Sequence, residues 1–290
     1  MTPIFIIAAP RSGTTFITEL LNHHPDVVGW HEPYFIWQFH VPNKPDDRLS
    51  KEDVTDRVKL FVRKEFSIFA KRARKPIVVE KTPVNVLKIE FIREIFPNAK
   101  WIHLYRDGRA VVSSLKQQYC QRKIISQQKH LLKFLDDVIY TLGKQPLWRH
   151  RFLATVYEIK TRNHLEPYFR SEKTIFGPRY PGWQLDQDKL SDIKFMAKQW
   201  VESEKAIFKG LEACSPGKVI HIKYEELIDQ PKYQLDKICQ HMNVSSEPLK
   251  DYLLNIKQTS VNKWQNNLNR TELESILPII NETMRVLNYE

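Results

Sequence analysis

The sequence predicts an α/β protein: a three-layer sandwich whose central, mainly parallel sheet is flanked by helices. Three observations predict it. Short apolar runs recur along the chain, at Ile4–Ile7, Val27–Val28, Pro76–Val79, Lys100–Tyr105 and Lys218–Lys223, and read as strands. Longer segments with apolar residues three and four apart lie between them and read as helices, an alternation that builds parallel sheets. Polar clusters containing Arg, Lys, Glu, Ser and Thr follow the apolar runs directly, and in such sheets ligands sit beyond the carboxyl ends of the strands.

The elements follow in order. The first strand leads through Pro10–Thr15 into a helix with Phe16, Leu20 and Leu21 on one face, which ends at His24-Pro25 because a residue before proline is pushed out of the α region. Val27-Val28 leads to Trp30-His31-Glu32-Pro33, and Pro42–Asp47 reads as loop. A helix is predicted over Lys51–Lys71, then the strand from Pro76 that ends at Glu80-Lys81-Thr82-Pro83. A helix over Asn85–Phe96, a strand over Lys100–Tyr105 and a helix over Gly108–Gln118 come next. The stretch 119–192, with turn signals at Gly177-Pro178 and Pro181-Gly182, reads as an insertion of one or two helices and a long loop within a single domain spanning 1–290. Helices over Asp192–Glu212, Pro231–Met242 and Thr271–Leu287 complete the chain, with Pro231 suited to a first turn and Pro278 a candidate kink.

Composition narrows the function classes. Lys and Arg number 45 against 34 acidic residues, a net charge of +11 that suits an anionic ligand. The cations are dispersed and no nucleic-acid module is recognisable. Three widely spaced cysteines (Cys120, Cys214 and Cys239) form neither a metal pattern nor a disulfide framework and read as buried or inert thiols. No apolar run approaches the roughly 20 residues of a membrane helix, and the first strand begins by Ile4 with no leader pattern before it. A cytoplasmic protein is the expectation.

The chemistry starts at Pro10-Arg11-Ser12-Gly13-Thr14-Thr15. A strand, a tight turn and a helix present unpaired backbone N–H groups to an anion. Gly13 lets the backbone approach closely, Ser12, Thr14 and Thr15 add hydroxyls, and Arg11 adds a planar fork of donors. The bland alternative is a helix start with Ser12 as its cap. The nucleotide loop G-x-x-x-x-G-K-[ST] is not matched, since its first glycine and its lysine are missing. The second signal is Arg106 at a strand end with Ser114 eight residues later, about two turns on along the same helix face.

Together these two signals resemble the sulfotransferases that use 3′-phosphoadenosine-5′-phosphosulfate (PAPS), most closely the branch of protein-tyrosine and bacterial sulfotransferases. The resemblance extends through His31-Glu32-Pro33, Glu80-Lys81-Thr82-Pro83, His221–Leu227 and Lys263-Trp264. It implies a P-loop-like sandwich and a PAPS-dependent enzyme without a metal. It further implies that Arg11, Ser12, Gly13, Thr14 and Thr15 hold the 5′-phosphosulfate, that Arg106 and Ser114 hold the 3′-phosphate, and that Lys263 contacts a phosphate. Trp264 either covers the nucleotide or packs in the core. Glu32 is the implied general base, with His31 its rival, and Lys81 is matched to the lysine at the bridging oxygen. In-line sulfuryl transfer needs such cations, by analogy with phosphoryl transfer, and an acceptor hydroxyl or amine needs a base.

The chain departs from the tyrosine-sulfating pattern at Gln118, where that pattern has arginine, which leaves Lys116 or the late loop to complete the 3′-phosphate grip. The acceptor is a carbohydrate, a tyrosyl peptide or a small natural product. Trp148, Tyr157, Tyr168, Phe169, Tyr180 and Trp183 of the insertion serve either as a stacking surface or as core. A P-loop kinase or hydrolase and a non-catalytic nucleotide-binding protein of the same fold are the alternatives.

Overall fold

The computed structural model describes residues 3–128, 177–253 and 261–289, with backbone alone over 121–128. Its sheet has five strands, β1 (Ile4–Ile7), β2 (Val27–His31), β3 (Ile77–Lys81), β4 (Lys100–Tyr105) and β5 (Val219–Lys223), in the order β2-β3-β1-β4-β5. Every pairing is parallel. The expected α/β sandwich is therefore observed, with the carboxyl ends of its strands on one edge.

The helices, in chain order, are α1 (Thr14–Asn22), α2 (Tyr34–Trp37), α3 (Asp56–Ala73), α4 (Ile89–Ile95), α5 (Gly108–Gln128), α6 (Trp183–Lys189), α7 (Asp192–Glu212), α8 (Tyr224–Asp229), α9 (Pro231–Met242), α10 (Lys250–Leu253), α11 (Trp264–Asn267) and α12 (Arg270–Val286). Alternate residues of each strand point to opposite faces. Ile4, Ile6, Val79, Ile102 and Leu104 pack against α1 and α9. Phe5, Ile7, Val28, Trp30 and Trp101 pack on the other face against α3 and α4. There Trp30 stacks flat on Phe69 with centroids 4.2 Å apart. Each such fully buried aromatic contributes on the order of 2–3 kcal/mol. A third cluster joins α5, α7 and α12 beyond the β4 end.

Four predicted helices differ in extent. The one expected over Lys51–Lys71 is a 3-10 turn at Lys51–Asp53 followed by α3. Ser50 and Asp53 cap the turn reciprocally, and Thr55 restarts the helix by accepting the Val58 N–H at 3.3 Å. The Asn85–Phe96 helix is broken at Lys88 into a 3-10 turn, Pro83–Leu87, and α4. The Leu87 carbonyl is occupied by the Leu49 N–H at 3.2 Å rather than by the helix itself. The last helix begins at Arg270, capped by Asn269, and carries Pro278 inside it. Helix α5 runs on to Gln128, into the predicted insertion.

Of the aromatics in the predicted insertion, Trp148, Tyr157, Tyr168 and Phe169 lie outside the described residues. Tyr180 is core: it is 2% exposed, packs against Phe195 and donates its hydroxyl to Asp186. Trp183 ties α6 to the Pro42–Asp47 loop, donating its indole N–H to the Pro45 carbonyl at 2.9 Å. Among the cysteines Cys239 is buried, with its thiol pushed up to about 11 by desolvation. Cys214 is half-buried and Cys120 is exposed on α5. Among the described residues no helix is long and apolar enough to cross a membrane.

Candidate active site

Each strand delivers one segment to the carboxyl edge of the sheet. In sheet order these are Glu32 after β2, Lys81 ending β3, the Arg11–Thr15 loop after β1, Arg106 after β4 and Tyr224 after β5. Four of these five segments were expected from their place after apolar runs.

The β2–β3 register pairs His31 with Lys81. The ladder continues one residue further, with the Glu32 N–H donating to the Lys81 carbonyl at 2.8 Å. Glu32 then leaves the sheet at φ 50°, and the Tyr34 N–H returns to the Glu32 carbonyl at 2.8 Å. Arg11 also has positive φ, 69°. For residues other than glycine this region costs on the order of 1–2 kcal/mol, and such strain clusters at functional sites. Here it aims both side chains away from the ordinary strand and turn directions.

The loop is not a capped helix start. Gly13, at φ 97°, is the N-cap residue of α1 and no side chain caps it. The Ser12 hydroxyl is fully buried and makes no hydrogen bond. The first-turn N–H groups of α1 have no earlier helical carbonyl to reach. Tyr224 explains the glycine: a Cβ at Gly13 would lie 2.4 Å from the Tyr224 ring.

Two clusters meet at this loop. In the first, Lys81 Nζ donates to Glu32 Oε1 at 2.6 Å and to Thr15 Oγ1 at 3.3 Å. Lys81 is buried, while the Glu32 side chain is 26% exposed, so the pair opens to solvent at its carboxylate end. In the second, Arg11 Nε donates to Ser114 Oγ at 3.0 Å, and Arg106 Nη1 donates to the Arg11 carbonyl at 3.1 Å. The Arg106 guanidinium lies over the Tyr224 ring at 4.4 Å. The next arginine, Arg109, is neutralised by a two-pronged contact with Asp107 at 2.7 to 3.1 Å. Arg11, Lys81 and Arg106 thus bring three cationic side chains to the same edge of the sheet as Glu32, an arrangement suited to an anion. Among the described residues no group of His, Cys, Asp or Glu is placed to hold a metal ion.

Lys263 is not in this constellation. It is exposed at the start of α11. Lys116 is engaged elsewhere, donating to Glu272 at 2.8 Å and to the Asn267 carbonyl at 3.1 Å. Trp264 lies under the Arg109 guanidinium at 4.4 Å, which docks α11 on α5. Sequence reasoning assigned no role to Tyr224, although its place after an apolar run is the signal that singled out the other strand ends.

Residues 3–151, just over half the chain, match the model of the sulfotransferase family. The human protein-tyrosine sulfotransferase 1 is 33% identical over 122 residues, 39% of this chain and 33% of that protein. Protein-tyrosine sulfotransferase A of Caenorhabditis elegans is 33% identical over 125 residues, 39% of this chain and 32% of that protein. The nodulation protein NoeE of Sinorhizobium fredii is 26% identical over 130 residues, 40% of this chain and 31% of that protein. The chain thus spans about a third of the length of the curated relatives it matches. In fold, it is similar to the sulfotransferase domain of the curacin biosynthetic pathway, with a TM-score of 0.57 at 16% identity over 100% of this chain and 98% of that one. The sulfotransferase domain of a Synechococcus olefin synthase superposes with a TM-score of 0.52 at 16% identity over 97% of this chain and 94% of that one. The chain belongs to the sulfotransferase family.

Proposed function

We propose that the protein moves the sulfuryl group from PAPS to an acceptor hydroxyl or amine by in-line displacement, with Glu32 as general base. The observation that carries this reading is the Lys81–Glu32 pair at 2.6 Å, one hydrogen bond from Thr15 of the loop. A proton acceptor and a buried cation thereby flank one anion-binding turn.

The residues fit the donor nucleotide. Ser12 offers a buried, unengaged hydroxyl, Gly13 keeps the loop flat against Tyr224, and the α1 N-terminus faces the same edge. Arg11, Ser12, Gly13, Thr14 and Thr15 would hold the 5′-phosphosulfate, and Arg106 with Ser114 the 3′-phosphate. Lys263 of the late loop is the further candidate for a phosphate contact. When bound, PAPS supplies the sulfuryl group and a phosphate leaving group. Glu32 takes the acceptor proton at a carboxylate oxygen, for a rate gain on the order of 10²–10⁴. Lys81 and Arg11 offset charge on the departing and transferred oxygens, where each fixed donor is worth about 10²–10³ in rate.

The acceptor hydroxyl is that of a carbohydrate, a tyrosyl peptide or a small natural product; the names of two relatives put a tyrosyl peptide first in any panel. The test is transfer of ³⁵S from PAPS to such a panel by the wild type and Glu32→Gln. Undiminished turnover in the variant removes Glu32 from the base role. Mg²⁺-dependent ATP turnover without PAPS binding would instead support a kinase or hydrolase.

A further inference from the structure

Glu80 precedes Lys81 in β3 and points to the opposite face of the sheet, where it is fully buried. Its Oε1 accepts from the Trp37 indole N–H at 3.1 Å and from the Thr82 hydroxyl, and its Oε2 accepts from Asn85 Nδ2 at 3.0 Å. Trp37 ends α2, the turn that follows Glu32. Thr82 and Asn85 belong to the turn that follows Lys81. One carboxyl group therefore bolts together the two segments that carry Glu32 and Lys81. Burying a carboxyl in an aromatic core is costly unless its hydrogen bonds do something a hydrocarbon cannot.

We infer that Glu80 is a positioning residue for sulfuryl transfer, keeping Glu32 and Lys81 in register through Trp37 on one side and Thr82 and Asn85 on the other. This rests on the function proposed above. The carboxylate form accepts all three donors. A protonated Glu80 carries a hydrogen that the Trp37 and Asn85 N–H groups cannot accept, so it must turn either the Thr82 hydroxyl or the Asn85 amide, and each choice loses one of the three donations. The other charged groups around Glu80 are Lys81 on its own strand and Lys88 at the end of the 3-10 turn, which in turn faces Asp47 and Arg179. Burial pushes the Glu80 carboxyl up to about 7. The strapped form consequently gains population as pH rises through neutrality.

The experiment uses the full chain with Glu80→Gln and Trp37→Phe, the latter deleting one donor while keeping an aromatic ring. The expected kcat loss for Glu80→Gln is on the order of 10²-fold, the effect of misplacing a catalytic group by about 1 Å. The affinity for the desulfated nucleotide falls far less than kcat, since the Glu80 cluster is linked to the phosphate loop only indirectly, through Lys81 and its bond to Thr15. The wild-type kcat profile rises with a midpoint near 7, and the variant loses that limb. A merely structural role would lower the melting temperature and weaken binding along with kcat, leaving the limb in place. A folded Glu80→Gln with wild-type kcat and pH profile overturns the inference. If that variant does not fold, the kcat and profile of Trp37→Phe decide on the same criteria. A turnover-independent arm follows the Glu32 carboxyl by ¹³C NMR. If the wild type transfers no sulfuryl group but the Glu32 titration midpoint moves in the variant, the positioning stands and the reaction assignment fails. An unmoved midpoint overturns the positioning.

Discussion

Gly13→Ala sets two costs against each other that can be measured separately. The first is backbone: φ at Gly13 is 97°, and placing a Cβ residue there costs on the order of 1–2 kcal/mol. The second is contact: the new Cβ would meet the Tyr224 ring at 2.4 and 2.5 Å. That ring is 7% exposed and has the Arg106 guanidinium over it at 4.4 Å, so it cannot yield by moving into solvent. Overpacking of this kind costs roughly 1–3 kcal/mol. The sum, about 2–5 kcal/mol, corresponds to a melting-temperature drop of roughly 3–8 °C for a chain of this size. Denaturant unfolding of Gly13→Ala, Tyr224→Ala and the double variant separates the terms. Removing the Tyr224 ring should recover the contact part, leaving the double variant roughly 1–3 kcal/mol more stable than additivity allows. A cost below about 0.5 kcal/mol for Gly13→Ala, within the range of an ordinary surface change, would refute the reasoning. So would strict additivity in the cycle.

Other outcomes follow from the same geometry. Arg106→Ala is expected to weaken binding of the 3′-phosphorylated nucleotide far more than binding of the analogue without that phosphate; equal losses by calorimetry would sink the 3′-phosphate assignment. Lys88 is buried and its ammonium is pushed down to about 8 from 10.5 by desolvation, so its burial penalty is fully present below pH 8 and fades as pH rises toward 10.5. Lys88→Met should therefore stabilise the fold at pH 7 by about 1–3 kcal/mol and by less at pH 10. Denaturant titrations at the two pH values check this, and a less stable variant at pH 7 would count against it.

The strand ends were legible because a parallel strand buried on both faces leaves an apolar run that stops abruptly where polar chemistry begins. Ile4–Ile7 before Arg11 and Lys100–Tyr105 before Arg106 are of this kind. Glu32 and Lys81 were legible for the same reason, but their contact was not, because it depends on the β2–β3 register. What escaped depends on long-range competition for local groups. Lys88 breaks a helix because Leu49 takes the Leu87 carbonyl, and nothing near Lys88 announces it. Ser12 looks like a cap in sequence, yet its hydroxyl is buried and Gly13 heads the helix. Lys116 looks available for a phosphate, yet Glu272, 156 positions away, holds it. Tyr224 was invisible as the reason for Gly13, since the two meet only once β5 is seated at the edge of the sheet.

The account turns on Glu32 and Lys81 flanking one anion-binding loop, and transfer of ³⁵S from PAPS is the measurement that reaches it most directly. The wild type should label at least one hydroxyl acceptor, with Glu32→Gln lowering kcat by about 10²–10⁴-fold while binding of the desulfated nucleotide is retained. Undiminished transfer by Glu32→Gln would contradict the account. So would a folded wild type that binds the nucleotide and labels no acceptor.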